Sequence, residues 1–345
     1  QEKELTTYKI ALISGDGIGP ELTKATLQVL DTIQERYNIN LDMINVDAGD
    51  ACLEKKGVAL PEETINIIKD SDACLKGPVG ETAADVIVRL RILFDLYANI
   101  RPIKVYPNVP CLRQDIDLVI VRENTEGVYR GIEFDVNAET AICLRIITKK
   151  ASERIARYAF KVAENRRKFM RVTAVHKANV MKKTDGLFSK TCRAVAKDYP
   201  EIHLDELYVD NAAMQLIKRP QEFDVLVTTN MFGDILSDEA SILVGGLGVA
   251  PGANIGDDFA LFEPVHGSAP KYAGKNIANP TSMILASKLM LDWLGDKYSD
   301  LKSKKAAMAI EKAIIETFKA NVLTQDLGGN VKTDVFGKAV ADRIL

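Results

Sequence analysis

The segment NMFGDILSDEA (230–240) sets two carboxylates, Asp234 and Asp238, four residues apart. On a helix that spacing puts both on one face, where like charges repel mildly and need a compensating cation. Oxygen-only ligands suit Mg2+ or Mn2+. Helix capping by Asp234, with a solvated Asp238, is the plainer alternative. A third carboxylate, Asp210 in LYVDNAAM (207–214), is expected at the end of an apolar strand, where sites collect in α/β folds. Three arginines could serve such a centre: Arg91 in VRLRILFDLY, Arg101 in ANIRP and Arg122 in VIVREN. Arginine forks match carboxylates bidentately. Arg122 ends an apolar run, so it needs a partner if buried. Structural ion pairing would account for any one of them taken alone. Lys177 in AVHKANV can serve as a base if burial and nearby cations lower its pKa. Tyr129, in the Gly-flanked turn EGVYRG, can serve as an acid, though each is more often structural.

Two further stretches invite a ligand. HGSAPKYAGKNIANP (266–280) is rich in Gly, Pro, Ala and Asn, so it suits neither helix nor strand. It opens on His266 and carries the neighbours Lys271 and Tyr272. GDGIGPE (15–21) resembles the dinucleotide fingerprint GxGxxG, but Pro20 stands where the third glycine belongs. A tight strand-to-helix turn is the simpler reading.

The elements that must position these residues alternate. YKIALIS (8–14) reads as a strand and 21–37 as a helix, with Leu22, Thr26, Val29, Leu30 and Ile33 at helical spacing. Residues 41–49 read as a second strand and 60–72 as a helix with Pro61 at its first position. ACLKGP (73–78) is a third strand. This βαβαβ rhythm is an α/β signature. It continues through the strands at 116–124 and 170–180 and the amphipathic helix at 151–167. Residues 223–246 run strand, turn, helix, and two helices follow the loops at 246–280.

At 345 residues the chain is longer than one core usually spans, so two lobes are expected. No Pro/Ser-rich linker separates them, so they are woven together. The net charge of -3 supplies no basic field for nucleic acid or an anionic membrane. No apolar run reaches the ~18 residues of a membrane span. The five cysteines, at 52, 74, 111, 143 and 192, are scattered without CxxC, which points to a reducing cytoplasm. QEKELTTYKIALIS at the N-terminus lacks the pattern of a signal peptide.

GDGIGPE, LYANIRP, VRENTEG, HKANV, YVD, FGDILSDEA and EPVHGSAP with IANPT occur in this order along nearly the whole chain. Jointly they resemble the β-decarboxylating 2-hydroxyacid dehydrogenases, which act on isocitrate, 3-isopropylmalate, homoisocitrate or tartrate. The resemblance implies a non-Rossmann α/β fold of two lobes around a cleft, with mixed sheets and flanking helices. Residues 1–97 with 246–345 would form the larger, cofactor-binding lobe. Residues 98–245 would form the smaller, with the dimer contact and the metal-site residues. Arg91, Arg101 and Arg122 would clamp substrate carboxylates. Asp234 and Asp238, with Asp210 of the neighbouring subunit, would hold Mg2+ or Mn2+. Lys177, also from the neighbour, would help remove the hydroxyl proton, and Tyr129 would protonate the enol carbon. The expected assembly is therefore a homodimer with shared sites, or a tetramer built from such dimers.

The same resemblance assigns the loop from His266, Gly267, Ser268 and Ala269 to Asn279 to the adenosine end of the cofactor, with Asn279 and backbone amides reading the adenine. Lys271 and Tyr272 stand where NADP-using members carry a 2′-phosphate site, and NAD-using members carry an acidic residue in place of the lysine. The reading is NADP, with NAD the alternative, because Gln325 and Gly329 replace the Tyr and Arg that many NADP enzymes add. Substrate choice is expected in ETAADVIVRLR (81–91). Isocitrate enzymes show Ser and Asn where this chain has Asp85 and Ile87. An anion at 85 would repel a third carboxylate, and Ile87 with Val88 suits an isopropyl group. An apolar pocket separates neighbouring homologues by only ~1–3 kcal/mol. The expectation is 3-isopropylmalate, with isocitrate and then homoisocitrate behind it. Regulatory, non-catalytic relatives typically lose one of the Lys, Tyr or Asp residues, and here all are present.

Overall fold

A computed structural model describes residues 5–345; Gln1 to Glu4, the start of the expected larger lobe, lie outside them. Among these residues the strands are β1 (Thr6–Ile13), β2 (Ile39–Asn45), β3 (Ala73–Lys76), β4 (Ala98–Lys104), β5 (Asp117–Glu123), β6 (Glu133–Asn137), β7 (Thr140–Cys143), β8 (Arg171–His176), β9 (His203–Tyr208), β10 (Val225–Thr228), β11 (Pro251–Ile255) and β12 (Ala260–Pro264). The helices of the first half are α1 (Gly19–Tyr37), α2 (Asp50–Lys56), α3 (Glu62–Lys69), α4 (Arg89–Leu93) and α5 (Lys149–Arg166). Those of the second are α6 (Thr184–Ala196), α7 (Val209–Lys218), α8 (Asn230–Leu243), α9 (Thr281–Lys297), α10 (Leu301–Lys319) and α11 (Thr333–Ala341).

Ten strands make one mixed sheet in the order β2-β1-β3-β12-β11-β4-β5-β10-β8-β9. Its two flanks are parallel. Its centre, β12-β11-β4-β5, is antiparallel. That centre separates the fold from the mostly parallel Rossmann sheet. The expected boundary at 97/98 and 245/246 falls where β4 pairs with β11, Asn99 opposite Asn254, so the sheet passes through it unbroken.

Side chains alternate across a strand, and the two faces of this sheet are covered differently. On one face a single core runs from Ile10 and Leu12 through Phe262, Ala253, Ile100 and Val121 to Val227. Helices α1, α5, α6, α9, α10 and α11 supply the other half of it. The opposite face has two separate cores. One packs Ala11, Cys74 and Leu261 against Ile65, Ile68, Ile87 and Leu90. The other packs Ile103, Leu118 and Ile120 against Leu216, Leu236 and Ala240. Between them the same face presents Lys76, Glu263, Asn254, Asn99, Arg101 and Arg122. A polar strip between two cores must find polar partners, because buried charges require them.

Local differences from the sequence reading have local causes. Pro61 is extended (φ -63, ψ 150) and precedes α3 instead of opening it. Asp210 lies in the first turn of α7, not at a strand end: β9 stops at Tyr208 and the chain turns straight into the helix. Asp234 sits inside α8 and is not its cap; Thr229 holds the cap position. In GDGIGPE, Gly15 and Gly17 take φ of +80 and +56. A Cβ on Gly17 would stand 2.0 Å from the Ser268 carbonyl oxygen, so the motif is a tight turn packed on the 266–280 loop.

Candidate active site

The three arginines converge. Arg122 is 2 % exposed. Its Nε and Nη2 donate to Asn230 Oδ1 at 3.0 and 2.7 Å, and Nη1 donates to Asp234 Oδ1 at 3.2 Å. Gly233 makes room for it: a Cβ there would meet Arg122 Cγ at 2.5 Å. Arg101 is buried, its Nε donating to Asn99 Oδ1 at 2.8 Å. Arg91 Nε donates to Asn254 Oδ1 at 3.0 Å. That same oxygen accepts from Asn99 and Asn124 at 3.3 and 3.0 Å, while Asn254 Nδ2 donates to Glu263 at 2.8 Å. Asn254 is thus the hub of the strip. Burial first, and the charge of Arg122 second, bring the Arg91 guanidinium down to about 10. Arg101 is lowered for the same reasons. Three crowded cations in a buried strip favour a polyanion, since opposite charge relieves both penalties.

The acidic helix faces this cluster. Burial alone would raise the Asp234 carboxyl, but Arg122, the Tyr129 hydroxyl and the other two arginines outweigh it and hold the group below its usual value. Asp238 is pushed up, by burial first; Arg101 opposes this and Asp234 adds to it. Tyr129, in the turn Val128–Arg130 between Gly127 and Gly131, donates its hydroxyl to Asp234 Oδ2 at 2.7 Å. Burial and that bond raise its pKa, so it stays protonated. The Arg122 guanidinium lies 5.4 Å from the Tyr129 ring.

Lys177 and Asp210 form a pair of their own. They pair with each other, Nζ to Oδ1, at 2.5 Å, and that lysine lowers the exposed Asp210 carboxyl. Among the described residues of one chain no three His, Cys, Asp or Glu side chains gather to hold a metal.

The 266–280 loop walls a cavity of about 450 Å3, lined by Ile18, Gly248, His266, Gly267, Ala269, Tyr272, Ile277, Ala278, Asn279, Gln325 and Asp326. Glu21 anchors the loop through Gly274 N and Asn276 N at 3.0 and 2.9 Å, and Ile18 N donates to Ser268 O at 2.8 Å. Lys271 and Lys275 both lie against the Tyr272 ring, at 5.1 and 5.9 Å. Asn279 is largely engaged: Oδ1 accepts from Thr281 N and Oγ1, and Nδ2 donates to Asp326 at 3.1 Å. One of its N–H groups is left for a ligand. Gly329 packs so closely on Leu323 O, 2.0 Å from a Cβ, that an arginine there would displace the backbone.

The substrate-choice helix divides unexpectedly. Residues Ala84–Val88 form a π-helical turn before α4, a wider winding that changes which residues share a face. Ile87 is buried in the core. Val88 and the exposed Asp85 instead line a surface groove with Leu53, Arg89 and Ile92, a groove that includes none of the three arginines. Repulsion of a carboxylate by Asp85 therefore loses its geometric basis.

The sequence profile of the isocitrate/isopropylmalate dehydrogenases matches residues 9–340. The chain belongs to that family. It is 54% identical over 329 residues to the 3-isopropylmalate dehydrogenase of Methanothermobacter thermautotrophicus, covering 95% of this chain and 96% of that one. It is 52% identical to the 3-isopropylmalate/3-methylmalate dehydrogenase of Methanocaldococcus jannaschii, covering 98% and 99%. The crystal structure of isocitrate dehydrogenase from Methylococcus capsulatus superposes with a TM-score of 0.89 at 44% identity, covering 98% and 99%.

Members of the family bind small hydroxy acids and use a nicotinamide cofactor and a divalent metal. The residues here fit both groups. Asp234 and Asp238 lie four residues apart on α8; burial first, and Asp234 in smaller part, raise Asp238, and a cation between the two carboxylates would relieve both. In the cavity, His266 Nδ1 donates to the Gly267 carbonyl at 2.9 Å, leaving Nε2 as a bare acceptor, buried and without a partner. Burial keeps that imidazole below its usual value and therefore neutral. A buried orphan acceptor costs free energy that a donating ligand recovers. Sequence reasoning missed Asn254, Lys275 and Asp326. An Asn inside an apolar strand was the available signal for the first.

Proposed function

We propose that this chain is a cytoplasmic, homodimeric 3-isopropylmalate dehydrogenase that prefers NADP, with each active site completed by a second copy. One observation carries the proposal: Arg91, Arg101, Arg122, Tyr129 and Asp234 gather in one cluster, while Lys177 and Asp210 pair with each other and not with Asp234 or Asp238. A decarboxylating site that needs all seven is then assembled from two chains. Exposed apolar residues support the pairing: Phe134, Val136 and Ile142 on the β6–β7 hairpin, Met214 and Ile217 on α7, Ile235 and Ile242 on α8. Five free cysteines agree with a reducing compartment, and no helix among the described residues is long and apolar enough to cross a membrane. In this reading residues 1–97 with 246–345 form the larger lobe and 98–245 the smaller, joined through the continuous sheet where β4 pairs with β11.

In this reading the arginines bind the two carboxylates of the substrate and hold C2 and C3 in place. Ile87, with no group to satisfy a third carboxylate, supplies apolar surface for the alkyl substituent, and Val88 packs against the same core. Asp234 and Asp238, with Asp210 of the second copy, would hold Mg2+ or Mn2+. When bound, the cation supplies Lewis acidity that acidifies the C2 hydroxyl and steadies the enolate, and the nicotinamide supplies the hydride acceptor. Lys177 Nζ of the second copy takes the hydroxyl proton. Decarboxylation of the β-keto acid leaves an enol at C3, and Tyr129 Oη delivers the proton there. His266, Asn279 and the backbone of Gly267, Ser268 and Ala269 would hold the adenosine, with Lys271 and Tyr272 on the 2′-phosphate.

Isocitrate is the second reading, favoured by the outward position of Asp85. Absorbance of reduced nicotinamide separates the two, with Mg2+ present and both NADP and NAD crossed against 3-isopropylmalate and isocitrate. Turnover of isocitrate alone would overturn the substrate, and a strong NAD preference would overturn the cofactor.

A further inference from the structure

Arg145 and Asp185 form an ion pair inside the protein, with side chains 10 % and 0 % exposed. Arg145 follows β7, at the base of the exposed hairpin, where Ile146 bridges to Gly127. Its Nε and Nη2 donate to Asp185 Oδ1 at 3.2 and 3.0 Å, and Nη2 also reaches Oδ2 at 3.3 Å. Nη2 also donates to Thr229 Oγ1 at 2.9 Å, and the guanidinium lies 4.7 Å over the Phe232 ring. Thr229 and Phe232 belong to the start of α8. The second oxygen of Asp185 accepts the Lys177 backbone N–H at 2.7 Å.

The Lys177 backbone is tied on both sides in this arrangement. Its carbonyl accepts from Met181 N at 2.8 Å while its N–H is held by Asp185, so the direction of its Cα–Cβ bond is set. Burying two charges is a poor way to gain stability, because desolvation consumes most of the attraction. A bidentate fork does confer direction. We infer that Arg145–Asp185 is a positioning pair: it sets the turn that aims Lys177 and, through the same guanidinium, the first turn of the helix carrying Asp234 and Asp238. The inference rests on the proposed roles of Lys177 and α8. If Lys177 serves the neighbouring site, the pair ties the proton acceptor of one site to the carboxylates of the other.

Two neutralised dimers isolate the hydrogen bond. Arg145→Met with Asp185→Asn keeps an acceptor for the Lys177 N–H; Arg145→Met with Asp185→Leu removes it. Thermal melting and size-exclusion chromatography establish that each is a folded dimer. With 3-isopropylmalate, saturating nucleotide and Mg2+, kcat of the Leu variant is expected at least tenfold below that of the Asn variant, with KM within twofold. Equal kcat values overturn the inference. Should the Leu variant not fold, Arg145→Lys carries the test: it keeps the charge but loses the fork, and kcat should fall severalfold at constant KM. Unchanged kcat overturns the pair's role. Lys177→Met separates the two layers of argument. If it remains active, the role of Lys177 fails; if it is inactive while the Asn and Leu variants match, only the positioning fails.

Discussion

Gly233→Ala sets two effects of opposite sign against each other. Gly233 lies inside α8 with an ordinary helical backbone, so alanine should stabilise the helix by about 1 kcal/mol. The added Cβ, however, would stand 2.5, 2.7 and 3.0 Å from Arg122 Cγ, Cβ and Cδ. A flexible arginine would swing aside without cost. This one is buried and bonded to Asn230 and Asp234, so it yields only by breaking those bonds. Overpacking of that kind costs about 1–3 kcal/mol. The net expectation is a loss of roughly 0–2 kcal/mol of stability. The larger effect should fall on substrate binding. If the displaced guanidinium loses one charge-assisted bond to a carboxylate, about 1.5–3 kcal/mol, KM should rise by about 10- to 150-fold. Urea denaturation reads the first quantity, and initial rates at saturating nucleotide and Mg2+ read the second. A variant about 1 kcal/mol more stable than the parent, with unchanged KM, would refute the claim that packing against Gly233 fixes Arg122.

Other outcomes follow from the same geometry. Tyr129→Phe should lower kcat by about 10²–10⁴ with little change in KM, and stopped-flow should show decarboxylated enol forming faster than ketone; a wild-type rate removes Tyr129 from the chemistry. Lys271→Ala should raise KM for NADP about tenfold, equivalent to ~1.4 kcal/mol, and leave NAD unaffected. An equal change for both nucleotides would count against a 2′-phosphate site. Glu126 is buried, and that burial raises its pKa despite the bonds from Thr148 N and Oγ1 at 2.9 Å each. The folded protein therefore holds this proton at a higher pH than the unfolded chain does. Stability should fall as pH rises from the ordinary glutamate value of ~4.3 through the raised one, then level off. Glu126→Gln should remove that slope, and parallel pH profiles of the two proteins would contradict it.

How much was legible in the sequence depended on the range of the interaction. The shared face of Asp234 and Asp238, the Gly-flanked turn of Tyr129 and the alternation of strands and helices are local, set by helical period and turn chemistry, and the folded chain retains them. Lys271 and Tyr272 likewise appear as neighbours on one loop. Errors arose at boundaries, where one residue changes the meaning. Pro61 precedes its helix, Asp210 lies in the first turn of one, and the π-turn at Ala84–Val88 leaves Asp85 and Val88 on a groove that includes none of the three arginines. Hydrophobic period alone does not register the extra residue in such a turn.

By itself the sequence determined the chemical inventory and the α/β class, because residue types and short spacings survive folding. Only the tertiary structure decided which residues meet. Asn254 reaches Arg91 across 163 positions, and Arg145 reaches Asp185 across 40. Such contacts are created by strand order, which places β11 beside β4 and a polar strip between two cores, and no periodicity in the chain encodes that order. The pairing of Lys177 with Asp210, and of Arg122 and Tyr129 with Asp234, is likewise decided by folded geometry, which joins residues 33, 112 and 105 positions apart.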